Sequence, residues 1–515
     1  MNIAENVERS RRFFPHKPAL IFEQKTWTYR ELDEQANRIA NLLQALGVQK
    51  GDRVALFLPN IPAFVFAYLG IQKLGAIAVS VSAMLKSDEV KFILNDCTAS
   101  VVITTAQLCE QVPQDDLAYL QHVLIAEGET DAGQSLDELM AGASPEAIAA
   151  KLERNDPAAI LYTSGTTGFP KGAILSHGNV VSNMHSVKHS CSMGPEDRLL
   201  LYLPLFHCFG QNFILNAGLN ACATIVLQRR FDPEKVLGAI ARERVTMFFG
   251  VPTVFIKLLE LCPANYDFSS IRYHFTAAAP MSPEVVRRWR DEQGQIIYEG
   301  YGLTETSPFT SYNHPLKYKP GSIGMPIENV EMQVVDSNGE ELPPGEIGEL
   351  VIRGPNVMLG YWNRPDVNQQ VLKGGWFHTG DLGRMDEDGY FYLCDRLKDM
   401  INVSGFKVYP SEVERVIAQH PAVAEVAVYG AADKVKGELV AASVRLKANG
   451  AATAEELQAF CRDRIANYKI PQLIQFVESL PKNATGKVLK RVLKKSPVAV
   501  CRPVKVREVA AISSR

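Results

Sequence analysis

The chain has 515 residues, of which 46% are hydrophobic and 22% charged. This is an ordinary globular composition, and the length calls for more than one domain. A net charge of -3, from 54 basic and 57 acidic side chains, gives no reason to expect a nucleic-acid partner or a strongly anionic membrane.

Residues 1–20 contain no apolar run of the kind that opens a signal peptide, so none is expected. Nine cysteines are scattered singly along the chain, which fits a reduced, cytoplasmic protein without a zinc site. From there to about residue 150, helical and strand patterns alternate. Thr28 with Glu31 reads as a capping box. The helix it opens runs through Leu32, Ala36, Ile39, Ala40 and Leu43 towards Gly47. Arg53–Leu58 is strand-like, Pro62 opens a helix that ends near Gly75, and Val101–Thr104 reads as a buried strand. Such alternation points to doubly wound α/β layers. Residues 131–156 read as a connecting helix and loop.

The stretch Leu161 to Gly178 follows. Thr163, Ser164, Gly165, Thr166, Thr167, Gly168, Phe169, Pro170, Lys171 and Gly172 combine backbone freedom, hydroxyls, free N–H groups and one cation. That is a phosphate-gripping composition. It is not the ordinary P-loop, because the second glycine of G-x-x-x-x-G-K-[ST] would fall on Pro170 or Ala173.

From Leu199 to Gln228 no Asp, Glu, Lys or Arg occurs. The run is long enough to cross a bilayer. Pro204, His207, Gln211, Asn212, Asn216 and Asn220 argue instead for a buried wall lining an apolar pocket. A second α/β region spans about 157–325. In it Val245–Val251 and Arg272–Ala279 are strand-like, the latter leading to Ala279 and Pro280. Small residues at a strand's carboxyl end suit a ligand lying on backbone. In the run from Ile296 to Thr306, Gly300 and Gly302 flank Tyr301, a ring that could stack on a base. Thr304 offers a hydroxyl for a phosphate and Glu305 a hard oxygen for Mg²⁺. Residues 326–395 switch to β-character with turns. Asp381 there could accept both hydroxyls of a ribose. Gly405 and Lys487 lie in turn-like segments that spacing alone does not distinguish from a plain hairpin and a solvated lysine. No periodicity marks residues 497–515, and a frayed tail is expected after about residue 496.

Taken in order, the loop around Lys171, the segment Tyr301-Gly302-Leu303-Thr304-Glu305, Thr379-Gly380-Asp381, Asp395-Arg396-Leu397-Lys398-Asp399 and Lys487 resemble the signatures of the acyl-adenylate-forming enzymes. The likeness covers about residues 20–495. The run from Glu299 to Pro308 is most similar to that of bacterial fatty-acid–CoA ligases. The resemblance implies a large N-terminal domain, residues 1–397, made of two doubly wound α/β subdomains (about 1–156 and 157–325) and a small β-barrel-like one (326–397). It implies a small mobile α+β domain over 398–515, with Lys398 as the hinge.

For the site, the resemblance implies that nucleotide is held by Thr163 to Gly168, Lys171, Ala279, Pro280, Glu299, Gly300, Tyr301, Gly302, Thr304, Asp381, Arg396 and Lys487. Tyr301 would pack on adenine, Thr304 would touch the α-phosphate, and Asp381 with Arg396 would take the ribose. Glu305 and Thr163 would hold Mg²⁺. Lys487 would be the catalytic lysine, with Thr304, Glu305 and His207 beside it in the chemistry. His207, Phe209 and Gly210 would border the acyl pocket and Gly405 the thiol tunnel. For His207 a carboxylate contact, a channel gate and a hydrogen-bonded core histidine all remain open. The implied reaction joins a carboxylic acid to ATP, releases pyrophosphate, and passes the acyl group from AMP to coenzyme A. The preferred acid is a medium- or long-chain fatty acid, whose burial contributes about 0.8 kcal/mol per CH₂. An aryl acid such as 4-coumarate, or a separate carrier protein as acceptor, stays an alternative. A homodimer and peripheral membrane contact are compatible with all of this.

Overall fold

The computed structural model describes residues 1–113, 115–163, 170–261, 266–403, 406–433, 437–448, 450–482 and 487–495. The chain divides into a larger compact unit, residues 1–346, 350–379 and 384–392, and a smaller one, residues 347–349, 380–383 and 393–515. The class is mixed α/β.

Two sheets organise the larger unit. In the first, strand order runs Gly360–Tyr361, Lys171–Ser176, Pro157–Thr163, Ile77–Ser80, Arg53–Phe57, Val101–Thr104, His122–Ile125 and Gln134–Ser135. Its inner pairings are parallel, so its strands are buried and read as continuous apolar runs. Side chains such as Phe57, Val79, Ile93 and Ile160 form its core. The helix Tyr29–Ala45 opens on the Thr28–Glu31 capping box, with Thr28 N–H donating to Glu31 at 2.8 Å. The helix Pro62–Leu74 ends on left-handed Gly75.

The second sheet has nine strands: Met325–Pro326, Phe309–Tyr312, Ile297–Gly302, Tyr273–Thr276, Met247–Gly250, Arg198–Leu201, Thr224–Leu227, Pro18–Phe22 and Lys25–Thr28. Its centre is parallel and its edges antiparallel. The sheets do not follow the sequence division at 156. The Pro18–Thr28 hairpin completes the second sheet, through Leu20 opposite Ile225. Strands 157–163 and 171–176 belong to the first. Main-chain pairing, which stretch-by-stretch periodicity cannot report, decides this exchange.

The charge-free stretch is buried wall, as its polar residues argued. It forms a strand, the wide helix Phe209–Asn216 with i→i+5 winding, a short helix and a second strand. Among the described residues no helix is long and apolar enough to cross a membrane. Residues 331–335, 348–353, 372–373, 376–385 and 391–396 build a five-stranded sheet.

In the smaller unit, Phe406–Val408, Ile401–Val403, Gly437–Leu446, Val423–Asp433 and Leu473–Phe476 form another five-stranded sheet. The helices Pro410–Ile417 and Ala454–Arg462 contribute Val413, Ile417 and Leu457 to the same core as Val428, Val440 and Val444.

Candidate active site

Thr163 and Lys171 end the two arms of an antiparallel hairpin and face each other across it. The Thr163 hydroxyl donates to the Lys171 carbonyl at 3.4 Å. The loop therefore returns as a strand, where a P-loop would continue as a helix. Phosphate binding here would rest on loop N–H groups and Lys171 rather than on a helix dipole. Ser164, Gly165, Thr166, Thr167 and Gly168, like Gly405 in the smaller unit, lie outside the described residues.

Glu305 is buried in a single helical turn, Thr304–Thr306, that follows the strand Ile297–Gly302. The turn is fixed by one side-chain amide and one main-chain N–H. Asn356 donates to the carbonyls of Thr306 and Phe309 at 3.1 and 3.0 Å, and Met358 N–H donates to the Glu305 carbonyl at 2.8 Å. Tyr361 donates its phenol to Glu305 Oε1 at 2.7 Å, and its ring faces the Lys171 ammonium, 5.4 Å from the centroid. Glu305, Lys171 and Tyr361 are thereby brought together.

Tyr301 is buried in the strand, opposite Ser311. The glycines around it do structural work. A Cβ on Gly302 would strike the Pro308 carbonyl, and one on Gly300 the Phe275 ring. Strand packing therefore demands a glycine at both positions, whatever ligand the ring between them meets. Glu299 is buried, and desolvation pushes its carboxyl up to about 7 despite the Met281 and Gly321 backbone donors. Ala279 and Pro280 are exposed just past the strand Tyr273–Thr276. The preceding Ala278 adopts φ 74°, a conformation that costs a residue with a Cβ roughly 1–2 kcal/mol and that clusters at ligand sites.

His207 is half-buried at the head of the wide helix. Burial lowers its pKa to about 4, so the ring is neutral at pH 7. Its Nδ1 accepts from Phe209 N–H at 3.2 Å, which assigns the proton to Nε2 and makes His207 a neutral donor. Gly210 lets the helix start against the Pro204 carbonyl, which a Cβ would strike. Beyond it, Phe213 stacks on Phe275 with centroids 5.0 Å apart and meets Phe209, Phe249 and Phe309 edge-on at 5.2, 5.5 and 5.1 Å.

In the smaller unit, Arg396 Nε lies 2.9 Å from the buried carboxylate of Asp381. Asp395 accepts from the N–H groups of Arg396 and Ser411 at 2.8 and 2.7 Å, holding the Arg396 backbone. Lys487 belongs to the same group. Desolvation first, then the Arg396 guanidinium, lowers its ammonium pKa to about 8, against the opposing pull of Asp381. The residue as a whole keeps solvent access. Lys398 lies in the short turn Leu397–Asp399.

The donor set fits magnesium. Mg²⁺ takes one or two carboxylate oxygens and fills the rest of its shell with water and substrate phosphate. With Oε1 of Glu305 engaged by Tyr361, Oε2 remains as a hard anionic ligand. Among the described residues no cluster of three His, Cys, Asp or Glu could cage an ion unaided. The ion would supply charge neutralisation on the triphosphate. Nothing in the sequence marks Tyr361 or Asn356. They lie 56 and 50 or 47 residues from the partners they hold, and neither sits in a motif with a chemical signature of its own.

The profile of the AMP-binding enzyme family matches residues 7–362, and that of the AMP-binding enzyme C-terminal domain matches residues 412–487. The chain is 36% identical to the long-chain-fatty-acid–CoA ligase of Bacillus subtilis, with 93% of this chain and 91% of that protein covered. It is 38% identical to a feruloyl-CoA synthase of an Amycolatopsis species, with 94% and 96% covered. It matches the crystal structure of the anthranilate CoA ligase AuaEII in complex with anthranoyl-AMP at a TM-score of 0.90, with 31% identity and 96% of each chain covered. The chain belongs to the AMP-binding enzymes. Its reaction is that of an AMP-forming acyl-CoA synthetase, with ATP and CoA as substrates and Mg²⁺ as cofactor.

Proposed function

We propose that the acid activated by this enzyme is a medium- or long-chain fatty acid. The observation that carries the reading is the wall formed by residues 199–228, which has no ionisable Asp, Glu, Lys or Arg over thirty residues and is almost wholly buried beside the neutral His207. Such a surface offers an alkyl tail burial and offers a substrate amine nothing. The relatives named long-chain-fatty-acid–CoA ligase support it. An aryl acid is the second reading, favoured by the edge-on rings around Phe213 and by the feruloyl-CoA synthase relative.

In this proposal Lys171, Tyr301, Thr304, Asp381 and Arg396 orient ATP, and Glu305 with Thr163 holds Mg²⁺. Lys487 stabilises the charge that develops when the carboxylate attacks the α-phosphorus. His207 offers its Nε2–H to the substrate carboxylate. Lys398 serves as the hinge between the two half-reactions. A cytoplasmic location goes with the reading, as do a homodimer and, for a lipid substrate, peripheral membrane contact; sedimentation and vesicle flotation test the last two.

The deciding measurement is acid-dependent ATP–pyrophosphate exchange across acetate, octanoate, palmitate, 4-coumarate, benzoate and several amino acids. A maximum at octanoate or palmitate is expected. A maximum at 4-coumarate or benzoate replaces the fatty-acid reading with the aryl one.

A further inference from the structure

Among the described residues, Tyr361 touches both of the charged groups around which the larger unit's site is built. Its phenol donates to Glu305 Oε1 at 2.7 Å. The face of its ring receives the Lys171 ammonium at 5.4 Å, within the range of a cation–π contact. The residue is buried, with 9% of its surface exposed, so its hydrogen bond to the buried Glu305 is made away from bulk water, where it is strengthened.

The backbone beneath it is held with equal care. Asn368 accepts from Tyr361 N–H at 2.7 Å and donates to the Tyr361 carbonyl at 3.0 Å. Gly360, at φ 137°, makes room for that amide: a Cβ there would lie 2.9–3.1 Å from three Asn368 atoms. Tyr361 pairs with Ala173 on the strand that Lys171 begins, and Trp362 N–H donates to the Gly172 carbonyl at 2.7 Å. Asp96 then ties both sides of the arrangement. It accepts from Tyr162 at 2.6 Å, next to Thr163 on one arm of the loop, and from Arg364 at 2.9 Å. A tyrosine held so closely by its own main chain sets the position of what it touches.

We propose that Tyr361 is a positioning residue for MgATP. Its hydroxyl occupies Oε1 of Glu305, so that Oε2 alone is presented to the metal. Its ring seats the Lys171 ammonium beside the same carboxylate, close enough for one triphosphate to meet both. The proposal rests on the reading of Glu305 as the metal ligand and Lys171 as a phosphate ligand.

The test is ATP binding by titration calorimetry on the full chain, in EDTA and at a series of Mg²⁺ concentrations, with no acid or CoA present. The acyl preference therefore does not enter. Tyr361→Phe keeps the ring and removes the hydroxyl. It is expected to leave metal-free ATP affinity unchanged and to shrink the gain in affinity from Mg²⁺ by about tenfold, the size of one hydrogen bond to a charged group. Tyr361→Leu, or Tyr361→Met should the leucine variant not fold, is expected in addition to weaken metal-free binding by roughly two- to fivefold through the lost ring face. A purely structural role would lower affinity equally with and without metal. Glu305→Gln is the control. If it abolishes the Mg²⁺ gain while Tyr361→Phe retains the full gain, the Tyr361 proposal is overturned and the metal site stands. If Glu305→Gln also retains the gain, both are overturned. Unchanged metal-free binding in a folded leucine or methionine variant overturns the Lys171 half.

Discussion

At Lys487, desolvation and the nearby Arg396 guanidinium hold the ammonium pKa down to about 8. The proposed role needs the charged form, so the sign follows directly: charge is complete well below pH 8 and is lost as the pH rises through it. Pyrophosphate exchange should fall over that interval, and Lys487→Arg, whose guanidinium does not titrate there, should remove the decline from whatever activity remains. Lys487→Ala should lower exchange by at least about a hundredfold, the scale of one preorganised charge donor, while transfer from a supplied acyl-adenylate to CoA is largely kept. Equal loss of the two steps would remove the division of labour. Glu305 stands out in the sequence because it lies in a short run of unusual chemistry, whereas Asp381 and Lys487 stand in ordinary turns and become candidates only through the resemblance to the acyl-adenylate-forming enzymes. Tyr361 is marked by neither. Gly-Tyr-Trp is an unremarkable strand fragment until folding sets it against a carboxylate 56 positions away. The neutral state of His207 was equally hidden, because it depends on burial and on the Phe209 N–H that its Nδ1 accepts.

The elements tell the same story with different physics. Thr28–Glu31, Pro62 and Val101–Thr104 could be read because caps, helix-opening prolines and apolar runs act over a few residues. The wide helix Phe209–Asn216 could not, since a run with few polar positions carries no periodicity to distinguish 3.6 residues per turn from a wider winding. The strand Ile297–Gly302 gives a prediction of its own. Gly302 lies directly against the carbonyl of Pro308, the residue just before the neighbouring strand Phe309–Tyr312, with no space for a methyl. The obstacle is backbone and cannot swing aside. Gly302→Ala should therefore cost at least roughly 1–3 kcal/mol, as overpacked cores do, and should displace the Thr304–Thr306 turn. Urea unfolding measures the first effect and ATP affinity the second. A variant as stable as the parent would show that the strands separate freely, against the packing described.

For the whole molecule, the proposed hinge is the most direct target. Lys398→Pro fixes φ near −65° in the turn Leu397–Asp399. Pyrophosphate exchange should persist and CoA thioester formation should fall, so the ratio of the two rates reports on the hinge; normal overall turnover would remove Lys398 from that role. The two large sheets carry a further consequence, for synthesis. Leu20 pairs with Ile225, and Ile174 with Gly360. A ribosome adding about 5–20 residues per second delivers the partner of the Pro18–Phe22 strand roughly 10–40 s after the strand itself has emerged, and closes the first sheet only after a comparable second wait. Through both intervals an apolar strand edge stands open. Nascent chains of this enzyme should thus spend most of their elongation time as chaperone clients, and slowing translation just after residue 28 should lower soluble yield more than slowing it after residue 361.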